Sequence, residues 1–177
     1  RLVMPGVDDS KTVSAGKRLQ VARRVTRVAL SWAVAFVSAR EIDHHGLQEA
    51  NLAAMCAAVA GLRLTPELVL SDWYRLGGLT VRSLAVKRGD SVSQSIAAAS
   101  CLAKVVRDGW MRHLGEELYP GYGWERNVGY GTREHLAAVA AMGLTTEHRR
   151  RFIQGKGRST ATIARQEALP FLPNPSR

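Results

Sequence analysis

The chain has 177 residues, 46% of them hydrophobic, with 25 Lys and Arg against 15 Asp and Glu, a formal net charge of +10 and a pI near 10.4. That length buries one sizeable core, and the basic excess favours an anionic partner whose binding weakens as salt rises. No apolar run reaches ~18 residues, the N-terminal end shows no secretory pattern, and two cysteines and five dispersed histidines argue against a membrane span, a disulfide framework and a zinc site, leaving the cytoplasm as the default location.

In chain order, Lys11 to Arg27 predicts a basic helix with apolar Leu19, Val21 and Val25. The following VALSWAVAFVS run alternates with period two, with Val28, Leu30, Trp32, Val34 and Phe36 on one face, and predicts a strand. Leu47 to Leu62 predicts an alanine-rich helix whose apolar side carries Leu52, Met55, Cys56 and Val59. Two strands follow, Leu68 to Ser71 and Leu79 to Val86, the second ending in a Gly89-Asp90 turn. A helix over Ser95 to Glu117 is capped by Ser93 or Ser95, and the small residues Ala97 to Ser100 permit close packing. Its buried stripe is expected at Ile96, Ala99, Ala103, Val106 and Trp110. A glycine-tyrosine loop leads to a helix over Thr132 to Met142, closed by Gly143. Residues 1–152 form one domain and 153–177 an irregular basic tail; the acid-free run Arg149 to Arg158 lies along a duplex backbone or is simply solvated. Cys56 and Cys101 sit within apolar helical patterns, as buried thiols do.

The residues that carry chemistry cluster around two acids. Asp72 ends the strand ELVLSD, at the carboxyl end where α/β folds bind ligands; the plain alternative is a turn residue before Trp73. Asp108 stands four residues after Lys104, which makes it either an ion-pair partner or a metal-ligating carboxylate. Carboxylates converging on one sheet edge would hold Mg²⁺ or Mn²⁺ through hard oxygens. Ser10 and Lys11 offer a hydroxyl, a backbone N–H and an ammonium to a phosphate, or else an ordinary helix cap beside a solvated lysine. Lys87, before the Gly-Asp turn, approaches a phosphate in the same way. Glycines 121, 123, 129 and 131 let the chain pass close to a groove, where Tyr122 and Tyr130 present flat faces to a sugar or base, or anchor the loop. His135 is expected to order that loop rather than to move protons.

These segments occur in an order that resembles type 2 ribonuclease H. The matching pieces are VDDSKTVS at Val7 to Ser14, EID at Glu41 to Asp43, VLSD at Val69 to Asp72, SIAAASCLAKVVRD at Ser95 to Asp108, YPGYGWERNVGYGTREH at Tyr119 to His135, and EHRRRF at Glu147 to Phe152. The resemblance implies a ribonuclease-H-like α/β fold, a mixed sheet flanked by helices and lacking its first strands. It also implies an endoribonuclease that cuts RNA in RNA-DNA hybrids and at single ribonucleotides embedded in duplex DNA, leaving 5′-phosphate and 3′-hydroxyl ends. Such enzymes use four carboxylates with Mn²⁺ or Mg²⁺; by motif position Asp72 resembles the third and Asp108 the fourth, and Tyr130 the tyrosine that packs on the sugar beside the 2′-hydroxyl. The first two belong to an Asp-Glu-x-Gly-Arg-Gly run that does not occur in these 177 residues. Trp73 stands where the pattern has Gly, Asn127-Val128 where it has His-Lys, and Arg151 where it has Ser. The expected protein is therefore a monomeric nuclease acting on hybrid or ribonucleotide-bearing duplex, away from membranes; the alternative is an inactive nucleic-acid-binding remnant.

Overall fold

The computed structural model describes residues 14–154, so Ser10, Lys11 and the tail from 155 onward lie outside the described residues. Ten regular helices and strands and one π turn occur there: α1 (Ala15–Val28), α2 (Ala39–His45), α3 (Leu47–Ala60), β1 (Leu68–Asp72), β2 (Arg82–Val86), α4 (Gly89–Val92), α5 (Gln94–His113), the π turn (Leu114–Leu118), α6 (Trp124–Asn127), α7 (Arg133–Met142) and α8 (Arg150–Gln154). No helix among the described residues is long and apolar enough to cross a membrane.

Local sequence explains where the helices start. Ser14 accepts from the Lys17 N–H at 3.4 Å to cap α1, and Thr132 accepts from His135 at 3.2 Å to cap α7. Ser38 and Glu41 form a reciprocal capping box at α2. Ser93 occupies the cap position of α5 without a side-chain bond to the helix. Asp43, on α2, accepts from the backbone N–H groups of Arg150 (2.7 Å) and Arg151 (3.2 Å), and so ties α8 back across more than 100 residues of sequence.

Two cores form. In the first, Val21, Ala22 and Val25 of α1 pack on Ala98, Cys101 and Leu102 of α5; each fully buried branched side chain contributes about 1.5–3 kcal/mol relative to exposure. The second joins Leu114, Tyr122, Trp124 and Val139, with Ile153 of α8 packed against it. The buried face of α5 is thus turned from the expected stripe: Ile96 is buried, but Ala99 and Ala103 are exposed while Ala97, Ala98, Cys101 and Leu102 point inward. A helix start made of small residues is apolar all round, so its periodicity does not fix which side faces α1.

β1 and β2 pair in parallel, in register from Leu68 opposite Arg82 to Asp72 opposite Val86. The described sheet is this parallel pair rather than a mixed sheet. Ser71 and Ser83 turn inward and donate to the carbonyls of Tyr74 and Leu76, which holds the loop between the strands. The strand expected over 28–38 is a correction: residues 29–38 form no strand, and Leu30 is 85% and Phe36 57% exposed. The alternation is real, but strand hydrogen bonding needs a neighbour, and the only paired strands among the described residues are β1 and β2.

Candidate active site

Two parallel strands deliver their carboxyl ends to one edge, and the candidate site is built there. Asp72 closes β1, and its Oδ1 accepts from the Gly89 N–H at 2.7 Å. No hydrogen bond among the described residues uses its Oδ2. Gly89 sits where a Cβ would lie 2.5 Å from Ile96 Cδ1 and 3.4 Å from Val86 Cβ, so any other residue there must shift the Ile96 side chain or the turn. Its neighbour Asp90 is buried, 8% exposed, and forms no ion pair among the described residues. Lys87 and Arg88, both exposed, lead into this turn.

The backbone around this edge is held under strain. Among the described residues three that are not glycine have positive φ: Trp73 (66°), Arg88 (53°) and Val128 (42°). Trp73 follows Asp72, Arg88 precedes Gly89, and Val128 lies in the loop before Tyr130. Each costs on the order of 1 kcal/mol in the left-handed region, a cost that surrounding contacts must offset.

A second group of side chains lies on α5, with Asp108 three turns and about 18 Å further along the helix than Ile96. Asp108 Oδ1 accepts from Lys104 Nζ at 2.7 Å and from Arg107 at 3.3 Å. Lys104 also donates to the Tyr130 hydroxyl at 3.2 Å and lies 5.0 Å from its ring centroid, with the Arg107 guanidinium 5.7 Å from the same ring. Arg107 in addition donates to the Val128 carbonyl. Tyr130 is held by these cations yet 59% exposed, so much of it remains open to solvent.

The structure thus brings Lys87 to the same edge as Asp72, and Asp108 together with Tyr130. It ties Asp72 to the turn of Asp90 and Asp108 to the cations of α5. Asp90 is the acid that the sequence reading passed over, although the signal that selected Asp72 applied to it: it follows the carboxyl end of a strand within a Gly-Asp turn. Asp72 and Asp90 offer hard oxygens of the kind Mg²⁺ and Mn²⁺ take, and no cluster of three or more potential ligands occurs among the described residues.

Tyr122 corrects a second expectation. It is 6% exposed, its hydroxyl donates to the Gly143 carbonyl at 3.0 Å, and its ring lies 5.3 Å from that of Trp124, so it is core and not a substrate platform. His135 is buried, with Nδ1 3.1 Å from the Tyr122 carbonyl and its ring stacked on His148 at 5.3 Å and 11°. Burial pushes the His148 imidazole down to about 4, with His135 adding to the push. Cys101 is fully buried and its thiol is pushed up by burial, whereas Cys56 is half-buried.

Comparison with known proteins identifies the family. The family model described as Ribonuclease HII matches residues 1–155. Ribonuclease HII of Nocardia farcinica is 46% identical over 147 residues, covering 83% of this chain and 58% of that protein. Ribonuclease HII of Geobacillus thermodenitrificans is 45% identical over 149 residues, covering 84% and 57%. The chain therefore spans somewhat over half the length of these curated relatives. Among solved structures, the ribonuclease H2 from Pyrococcus horikoshii OT3 superposes with a TM-score of 0.65 at 22% identity over 85% of this chain and 81% of the other, a match of fold. A family model matched over nearly the whole chain, with relatives above 40% identity, shows that the chain belongs to the ribonuclease HII family.

Proposed function

We propose that this chain carries the substrate face and part of the metal site of an endoribonuclease that hydrolyses RNA in RNA-DNA hybrids and at single ribonucleotides embedded in duplex DNA. The observation that carries this reading is the edge where Asp72 is gripped by the Gly89 N–H and Asp90 is buried in the same turn. Asp72 and Asp90 would hold Mg²⁺ or Mn²⁺ there, and such an ion, when bound, lowers the pKa of a water and stabilises the departing 3′-oxygen. Hydrolysis forms a P–O bond to water and breaks the P–O3′ bond, leaving 5′-phosphate and 3′-hydroxyl ends.

The chain's own residues do the rest. Lys87, Lys104 and Arg107 neutralise phosphates, and Ser10 and Lys11 would add a hydroxyl and an ammonium to the same backbone. Asp108 fixes Lys104 and Arg107 beneath Tyr130, whose open face packs on the sugar of the ribonucleotide. Asp108 acts through these cations, since it stands about 18 Å further along α5 than Ile96, which packs at the Gly89 turn.

Cleavage of a DNA duplex bearing one ribonucleotide, with Mn²⁺ or with EDTA, tests this directly. Asp72→Asn and Asp90→Asn should each abolish metal-dependent cutting, and Asp108→Asn should reduce it. The second reading, a nucleic-acid-binding chain without turnover, is favoured by the lack of a three-ligand cluster among the described residues. Salt-sensitive duplex binding with no cutting in any metal would establish it instead.

A further inference from the structure

Trp73 stands in an exposed and strained position at the end of β1. Its φ is +66°, its own N–H is fixed on the Val86 carbonyl at 3.0 Å, and the Tyr74 N–H closes a three-residue turn onto the Asp72 carbonyl at 2.8 Å. A turn of that kind around a bulky residue is rare and costly. The indole gains little burial in return, being 54% exposed. Its visible partner is Lys87, whose Nζ lies 5.5 Å from the ring centroid, an exposed contact of modest worth. A folded chain that needed only the turn would be better served by a residue without Cβ. The geometry instead displays a large aromatic plane, with an ammonium over it, on the residue that follows Asp72.

We propose that Trp73 is a stacking platform for a nucleobase of the strand whose phosphate lies at Asp72, with Lys87 on the adjoining phosphate. The inference rests on the nuclease reading above, which places a phosphodiester at that edge. Indole is the largest π face available to a base, and stacking on it is tolerant of sequence, as an enzyme acting wherever a ribonucleotide occurs requires. Lys87 supplies charge to the backbone from over one side of the ring, so the base takes the other.

The test pairs two variants with the wild-type chain. Binding of a fluorescein-labelled DNA duplex carrying one ribonucleotide is measured in EDTA at low salt, together with thermal unfolding and the tryptophan emission on adding unlabelled duplex. Trp73→Gly should unfold at a higher temperature, because the strain is relieved, yet bind about tenfold more weakly. Trp73→Phe should keep most of the affinity and lose the largest part of the duplex-induced quenching. A role confined to folding would move stability and affinity in the same direction. Equal affinity of Trp73→Gly and wild type, or quenching that survives in Trp73→Phe, overturns the platform while leaving the nuclease reading intact. A wild-type chain that neither binds nor cuts this duplex overturns both.

Discussion

The Gly89 N–H donates to Asp72 Oδ1 at 2.7 Å, and this single bond locks the carboxyl end of β1 to the turn that leaves β2. It engages one carboxylate oxygen and leaves the other without a hydrogen bond among the described residues, where the proposed cation would bind. Gly89→Ala puts a methyl 2.5 Å from Ile96 Cδ1, so either Ile96 or the turn must move. The expected outcome is a loss of about 1–2 kcal/mol of stability. The upward shift in unfolding temperature on adding Mn²⁺ should also shrink, since a mis-set Asp72 binds metal less tightly. An unchanged metal-induced shift would show that the bond does not orient the ligand.

Gly115 makes a contrasting control away from the metal edge. A Cβ there would lie 2.7 Å from the Glu125 backbone N and 2.9 Å from Trp124 Cβ. Both atoms belong to a fully packed region, and the π turn at Leu114–Leu118 sets this close approach. Gly115→Ala should cost about 2–3 kcal/mol in denaturant unfolding, while the stabilisation by saturating Mn²⁺ stays as in the wild type.

His148 gives the fold a dependence on acid. Folded, its imidazole protonates at about 4 instead of 6.5, chiefly because it is buried. Between those values the unfolded chain holds the extra proton, so stability from this group is fully present above pH 6.5 and is lost as pH falls towards 4. The slope approaches about 1.4 kcal/mol per pH unit for one proton. Urea unfolding at pH 7 and pH 5 measures it, and His148→Gln, which does not titrate, should flatten the difference even if it is less stable throughout.

Lys104 sits between Asp108 and Tyr130. Replacing it by Met removes one positive charge; if Lys104 meets a phosphate as proposed, the log–log salt slope of duplex binding should fall by about one. Arg107 still pairs with Asp108 in that variant, so unfolding should change by roughly 1 kcal/mol or less. A salt slope identical to wild type would remove Lys104 from the substrate face.

Much of this arrangement was legible in the residues. Helical spacing located α1 and α7, and Gly143 marked the end of the latter, whereas the capping roles of Ser14 and Thr132 emerge only from the structure. Asp72 was readable because a strand ended on an acid. The segment 28–38 misled because alternation records which side chains want burial and says nothing of whether a neighbouring strand is there to pair. The facing of α5 was hidden by its alanines. Tyr122 and Tyr130 have similar glycine-rich surroundings, and only tertiary contact separates them: Tyr122 is enclosed by Trp124, His135 and His148, and Tyr130 by two cations and solvent. The positive φ of Trp73 gives a physical reason for the glycine that the family pattern has there, and makes the tryptophan a costly exception.

Leu70 and Leu84 are register partners on one face of the sheet, and with Leu68 they are 37–44% exposed; Leu30 and Phe36 are more exposed still. The chain therefore carries oily surface and a charge of +10 at once. Mutual repulsion keeps such molecules apart in dilute buffer, and added salt removes it. Salt should consequently both weaken the proposed grip on a duplex and promote clumping together, so a titration followed only by lost binding would mistake one for the other. Light scattering recorded on the same samples separates a colloidal loss of protein from true release of nucleic acid.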